Sequence, residues 1–161
     1  TYFPLAIKLQ SRLAVVIGGG KVAERKVKAL LKAQARIKVI SPDATGRLKE
    51  LARRKDISWI RRRMRDSDIR GADIVVAATN DTQKNIEISR LAKRERIWVN
   101  IVDKPNLSDF ISPAAFHRKE AIVTVYTDGK DPVLSRDVKN FLKEHWDDFL
   151  CYRHRLQNGK P

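Results

Sequence analysis

Gly18-Gly19-Gly20 followed by Ala23 are the residues of this chain whose types and spacing most directly imply chemistry. In the pattern Gly18-x-Gly20-x-x-Ala23 the first glycine permits a tight turn and the second lets a phosphate approach the backbone. Ala23 is small enough for a helix to pack closely on a strand. The N–H groups that open such a helix, at Gly19, Gly20, Lys21, Val22 and Ala23, form an anion site suited to a pyrophosphate. A second candidate is Asp103, which directly follows the apolar run of residues 97–102. At the carboxyl edge of a sheet a carboxylate can take a proton or orient a substrate. Its plainer reading is an Asx-turn ahead of Pro105. Thr79 and Asn100 suit cofactor or backbone positioning better than bond-making.

These groups depend on the elements that hold them. Leu13-Ala14-Val15-Val16-Ile17 is a continuous apolar run, read as a buried strand that ends on the glycines. Ala23, Val27, Leu30 and Leu31 then fall at i, i+4, i+7 and i+8, one face of a helix. Residues 37–40 form a second strand stopped by Ser41-Pro42, residues 44–55 a helix, and residues 57–60 a short third strand. Residues 73–78 are a fourth strand, residues 83–94 a helix capped by Asp81 or Thr82, and residues 97–102 a fifth strand. Apolar strands alternating with helices predict an α/β doubly wound parallel sheet of Rossmann type, and hence a bound dinucleotide. Beyond Pro105 the rhythm changes to one strand over residues 121–127 and one helix over residues 133–150. The helix carries the stripe Leu134, Val138, Phe141, Leu142, His145 and Phe149. The expected division is an NAD(P)-binding domain over residues 1–109 and a small strand-plus-helix dimerisation element over residues 110–161.

One expected part of the dinucleotide site is displaced. An acid ending the second strand, about 20 residues past the glycines, would hold the adenosine ribose. Here that place reads Ser41-Pro42-Asp43. Ser41 and Pro42 are therefore the cofactor candidates at this end, and the choice between NAD and NADP stays open, with Arg47 near enough to favour a 2′-phosphate.

Bulk properties narrow the classes. The 161 residues are 42% hydrophobic, enough for a normal core. No apolar run reaches the roughly 18 residues of a membrane span, and no secretory signal opens the chain. One cysteine forbids an internal disulfide, and three scattered histidines lack metal-ligand spacing, so a cytoplasmic, metal-independent fold is expected. With 34 Lys+Arg against 19 Asp+Glu, the formal charge of +15 attracts polyanions. Charge alone does not choose among nucleic acid, anionic membrane and a polycarboxylate substrate.

The run Val16-Ile17-Gly18-Gly19-Gly20-Lys21-Val22-Ala23-Glu24-Arg25-Lys26 resembles the precorrin-2 dehydrogenase / siroheme synthase N-terminal family. Further collinear matches are Ala77-Ala78-Thr79-Asn80-Asp81 with Asn85, Val99-Asn100-Ile101-Val102-Asp103-Lys104-Pro105, and Phe110-Ile111-Ser112-Pro113-Ala114. Thr127-Asp128-Gly129-Lys130-Asp131-Pro132-Val133-Leu134-Ser135-Arg136 completes the set. The resemblance implies a cytoplasmic homodimer that oxidises precorrin-2 to sirohydrochlorin with NAD+, some members also inserting ferrous iron to give siroheme. It implies Asp103 as the catalytic aspartate, and Lys104, Thr127 and Arg136 as substrate contacts. It accounts for the charge as well, since precorrin-2 carries many carboxylates that a basic cleft would concentrate.

Two departures stand out. Asp131 replaces the family's usual serine before Pro132, and the chain stops soon after the long helix, so a shortened C-terminal segment is expected. The competing readings are a non-catalytic nucleotide-sensing or nucleic-acid-binding module on the same fold, and a chelatase or tetrapyrrole carrier without dehydrogenase activity. The first would need a basic recognition helix, and the Lys and Arg here are scattered; neither nucleic acid nor membrane is an expected partner.

Overall fold

A computed structural model describes residues 2–102 and 104–159. The chain divides into a unit of Phe3–Ile111 and a second unit that begins at Ser112 and includes Tyr2. The first unit is a five-stranded sheet. Its elements in chain order are β1 (Leu13–Ile17), α1 (Lys21–Lys32), β2 (Arg36–Ile40), α2 (Gly46–Arg53) and β3 (Ser58–Ile60), then β4 (Ile74–Ala77), α3 (Thr82–Arg94) and β5 (Trp98–Ile101). Short 3-10 turns lie at Asp66–Ile69 and Pro105–Leu107. The strand order is β3-β2-β1-β4-β5, with every neighbouring pair parallel.

Alternation along each strand explains why the runs are apolar throughout. Val16, Val39 and Val76 pack under α1 and α2 with Val27, Leu30, Leu48 and Leu51. Their neighbours Val15, Ile40, Val75 and Val99 point to the other face, against Ile69, Ile88, Leu91 and Ala92. Each such fully buried side chain contributes roughly 1.5–3 kcal/mol. The direction of winding reverses between β1 and β4, and the carboxyl ends on either side of that reversal open the crevice in which doubly wound sheets bind ligands.

Between β3 and β4 the chain is closed by one ion pair. The Asp68 carboxylate accepts from both Arg62 Nη atoms at 2.7 Å and from the Arg65 N–H at 2.7 Å, while Arg62 also donates to the Arg63 carbonyl. The Arg62 hydrogen bond, followed by the Arg65 N–H, holds the Asp68 carboxyl below the usual carboxylate range. A lowered folded-state pKa stabilises the fold fully above the unfolded value of about 3.9, and that stability is lost as pH falls through the folded value. Asp68→Asn is therefore expected to cost about 1–3 kcal/mol at pH 7 and to flatten the acid limb of the stability curve. Urea unfolding at pH 7 and pH 3 checks this; an unchanged pH dependence counts against it.

The second unit differs from its expected strand and helix. It contains an antiparallel pair, β6 (Ala114–His117) and β7 (Ile122–Val125), and two helices, α4 (Pro132–Glu144) and α5 (Trp146–Gln157). Ala114–His117 carries no clean alternation, so β6 exists through its pairing with β7. The expected single helix breaks at His145, where Trp146 turns inward to meet the Phe116 ring edge-on at 5.7 Å. The apolar stripe of α4 is not covered: Phe141 is 58% exposed, and Leu134, Val138 and Leu142 are exposed with it.

Candidate functional site

The glycine turn floors a cleft of about 940 Å³ at the carboxyl edge of the sheet. Gly18 has φ +119°, and a Cβ there would run into the Ala78 carbonyl, so the turn tolerates no side chain. Gly19 is equally constrained: a Cβ would meet the Asp43 carbonyl and the Ser41 hydroxyl. At Gly20 an added Cβ would meet nothing within 4 Å, so the close approach that this glycine permits is toward the open cleft. Gly20 also caps α1 without a side chain, leaving the helix N-terminus to an anion. This cradle fits a pyrophosphate.

The walls come from three loops. After β2, Ser41 donates to the Asp43 carbonyl, and Thr45 caps α2 by accepting from the Leu48 N–H. Thr45 in turn donates to Glu24 Oε2 at 2.7 Å, tying this loop to α1. Asp43 lines the cleft with its carboxylate paired to Lys49 at 2.7 Å, and the hydrogen bond from Lys49 holds that carboxyl below its ordinary value. An acid is thus present at this end, two residues later than the strand-end position. Arg63 and Met64, from the turn closed by Arg62 and Asp68, form the adjoining wall. Arg47 pairs with Glu50 on exposed helix surface instead and is not among the cleft-lining residues.

The third wall is the loop after β4. Thr79 Oγ1 donates to Asn85 Oδ1 at 2.7 Å, and Asn85 Nδ2 returns to the Thr79 carbonyl at 3.0 Å. Asp81 caps α3 through the Lys84 N–H, so the Ala-Thr-Asn-Asp run is a loop folded by its own polar groups. Thr79, Asn80, Asp81 and Lys84 all face the cleft.

Among the expected site residues, Gly18, Gly19, Gly20, Ser41, Pro42 and Thr79 come together here. Lys21, Val22 and Ala23 form the first turn of α1, with Ala23 fully buried against the sheet. Asn100 is not in the cleft wall: it is buried on β5, donates to the Phe110 carbonyl at 2.9 Å, and its Oδ1 has no partner among the described residues. Asp103 lies outside the described residues, and Lys104 beside it is exposed. Thr127 and Arg136 belong to the second unit, where Thr127 Oγ1 is engaged with the Asp131 carbonyl and with Ser135 at 2.8 Å each. Sequence reasoning missed Asp43, Thr45, Arg63 and Met64 as wall residues. Thr45, a capping residue three before Leu48, carried a local signal; Arg63 and Met64 carried none, because strand order alone brings them to the cleft.

A parallel sheet in the order 3-2-1-4-5 with a ligand-sized cleft over a glycine turn defines a dinucleotide-binding domain of Rossmann type. The particular family follows from comparison: residues 5–114 match the family model NAD_binding_7, described as "Putative NAD(P)-binding", and the chain belongs to that family. The siroheme synthase of Thioalkalivibrio sulfidiphilus is 41% identical over 135 residues, covering 84% of this chain and 28% of that protein. The siroheme synthase of Pseudomonas aeruginosa is 39% identical over 145 residues, covering 90% and 31%. The chain spans less than a third of the length of these relatives. Among solved structures, SirC, a precorrin-2 dehydrogenase, superposes with a TM-score of 0.75 at 25% identity over 98% of this chain and 78% of its own. Among the described residues no helix is long and apolar enough to cross a membrane.

Proposed function

We propose that this chain is an NAD-dependent dehydrogenase that oxidises precorrin-2 to sirohydrochlorin in siroheme biosynthesis, acting in the cytoplasm. The observation that carries the reading is the glycine-floored cleft, in a fold that matches a precorrin-2 dehydrogenase over nearly its whole length. When bound, NAD+ supplies the hydride acceptor. The chain's own groups do the rest. Gly18, Gly19 and Gly20 with the α1 N-terminus hold the pyrophosphate, and the Ser41–Asp43 loop borders the adenosine end. Asp103 accepts or orients the proton lost from the macrocycle, while Lys104, Thr127 and Arg136 contact its carboxylates. The +15 charge is of the sign that draws in a polycarboxylate such as precorrin-2.

Anaerobic conversion of enzymatically made precorrin-2, followed by absorbance with NAD+ supplied or omitted, tests this. Turnover that depends on NAD+ is expected; loss of precorrin-2 without NAD+, or no turnover, overturns the reading. Ferrous iron in the same assay, with siroheme as readout, separates a ferrochelatase activity from the dehydrogenase.

The active form is proposed to be a homodimer. Its support is the uncovered apolar face of the second unit, where Leu134, Phe141, Phe149 and Leu156 are all about half exposed or more. Light scattering on the purified chain should give twice the chain mass. Phe141→Asp should return it to one chain mass without lowering the cooperativity of unfolding. A monomeric wild type would refute the dimer.

A further inference from the structure

The loops that follow β2 and β3 leave the same edge of the sheet side by side. Ile40 pairs with Ile60 in the parallel register, and the Ser41 N–H extends that pairing by donating to the Ile60 carbonyl at 3.2 Å. The Trp59 indole N–H donates to the Ser41 carbonyl at 3.1 Å, which ties β3 to the loop after β2. In a Rossmann-type domain the adenosine ribose lies at the end of the second strand, and the charge around its 2′ position separates NAD from NADP. Both loops contribute to that wall here, Ser41, Pro42 and Asp43 from one and Arg63 and Met64 from the other.

No free acid stands ready to read a 2′-hydroxyl at this end. Ser41 occupies the strand-end position, and its hydroxyl is spent on the Asp43 carbonyl. The Asp43 carboxylate is bound by Lys49 at 2.7 Å and lies in the field of Arg61 as well, so its charge is met before a cofactor arrives. Arg63 is in the opposite state. Of the two cations in the cleft wall, Lys84 is held by Glu87 at 2.9 Å, whereas the Arg63 side chain has no partner among the described residues. Its backbone is nevertheless fixed, because the Arg63 carbonyl accepts from Arg62 Nη1 at 3.0 Å and Arg62 is locked to Asp68. A guanidinium on an anchored backbone, without an acceptor of its own, suits a phosphate that can take two parallel hydrogen bonds. Arg63 thus fills the place that the sequence offers to Arg47, whose guanidinium is paired with Glu50.

We propose that the adenosine end of the cleft accepts a 2′-phosphate through Arg63, so that the chain binds NADP+ no more weakly than NAD+. This rests on the reading of the glycine-floored cleft as a dinucleotide site. Both cofactors carry the same nicotinamide, so the choice between them changes binding and leaves the chemistry alone.

Calorimetric titration of the purified chain with NAD+ and with NADP+ tests this, alongside the variant Arg63→Gln. In the wild type the Kd for NADP+ is expected to equal or fall below that for NAD+. Arg63→Gln should weaken NADP+ about tenfold or more while the Kd for NAD+ stays within about twofold of wild type. Arg63 is exposed, so the variant should melt with the wild-type Tm. A wild type that binds NADP+ more weakly than NAD+ overturns the proposal. So does an Arg63→Gln protein that keeps its NADP+ affinity, or one that loses both cofactors alike. A wild type that binds neither cofactor is seen before any variant is made; it overturns the dinucleotide reading itself, and the Arg63 role with it.

Discussion

Gly18→Ala is expected to lose both the fold's stability and the cofactor, whereas Gly20→Ala should lose only the cofactor. At Gly18 the backbone sits at φ +119°, which an alanine adopts only under strain, and the new methyl would press on the Ala78 carbonyl. Backbone strain and overpacking each cost about 1–3 kcal/mol. Together they remove a large share of the roughly 5–15 kcal/mol that holds a domain together. Gly20 has φ −81° and ψ −174°, ordinary for alanine, and nothing of the protein near its Cβ position. The folded chain should accept the substitution with an unchanged Tm. The methyl would instead occupy the approach of the pyrophosphate, weakening NAD+ by about tenfold or more, or 1.4 kcal/mol and upward. Thermal melts with and without NAD+, together with calorimetric titration, separate the two outcomes. Wild-type affinity in a folded Gly20→Ala protein would place the pyrophosphate elsewhere.

Asp103→Asn is expected to abolish most precorrin-2 turnover while leaving NAD+ binding intact. The proposed oxidation of the macrocycle would release a proton, and a general base at such a site typically contributes about 10²- to 10⁴-fold. Asparagine keeps the size and the turn-forming tendency of aspartate but cannot accept that proton. The substitution therefore separates chemistry from an Asx-turn, which asparagine makes equally well. A fall of that size in kcat at unchanged NAD+ affinity supports Asp103 as the proton-handling group. Near-normal turnover in Asp103→Asn removes it from the chemistry and leaves it as a turn residue.

The two predictions draw on different kinds of information. For Gly18 and Gly20 the pattern predicts a pyrophosphate turn, and the folded chain divides the glycines into one needed by the fold and one facing the cleft. Gly19 had no assigned reason in the pattern, and its need became visible only with the Asp43 carbonyl lying against it. The opposite case is α4. Its apolar spacing is helical, and that spacing reads as a buried face; in the folded chain the same face is open. Periodicity reports that a face must be covered, and it says nothing of whether the cover comes from the same chain.

By itself the sequence determined what depends on neighbours a few residues apart. The five apolar runs, the turn after the first of them and a cap for α3 at Asp81 or Thr82, which the folded chain resolves to Asp81, follow from local dihedral preference and burial. Tertiary structure alone decided what depends on pairing between distant segments. It placed β4 beside β1, which brought Thr79 and Lys84 over the glycines. It carried Arg63 and Met64 to the far wall and paired β6 with β7. It also laid Ser108 along the edge of β5. The physical reason is that a strand's run of side chains encodes which faces are buried, while its neighbours in the sheet are chosen by hydrogen bonds that every backbone offers alike.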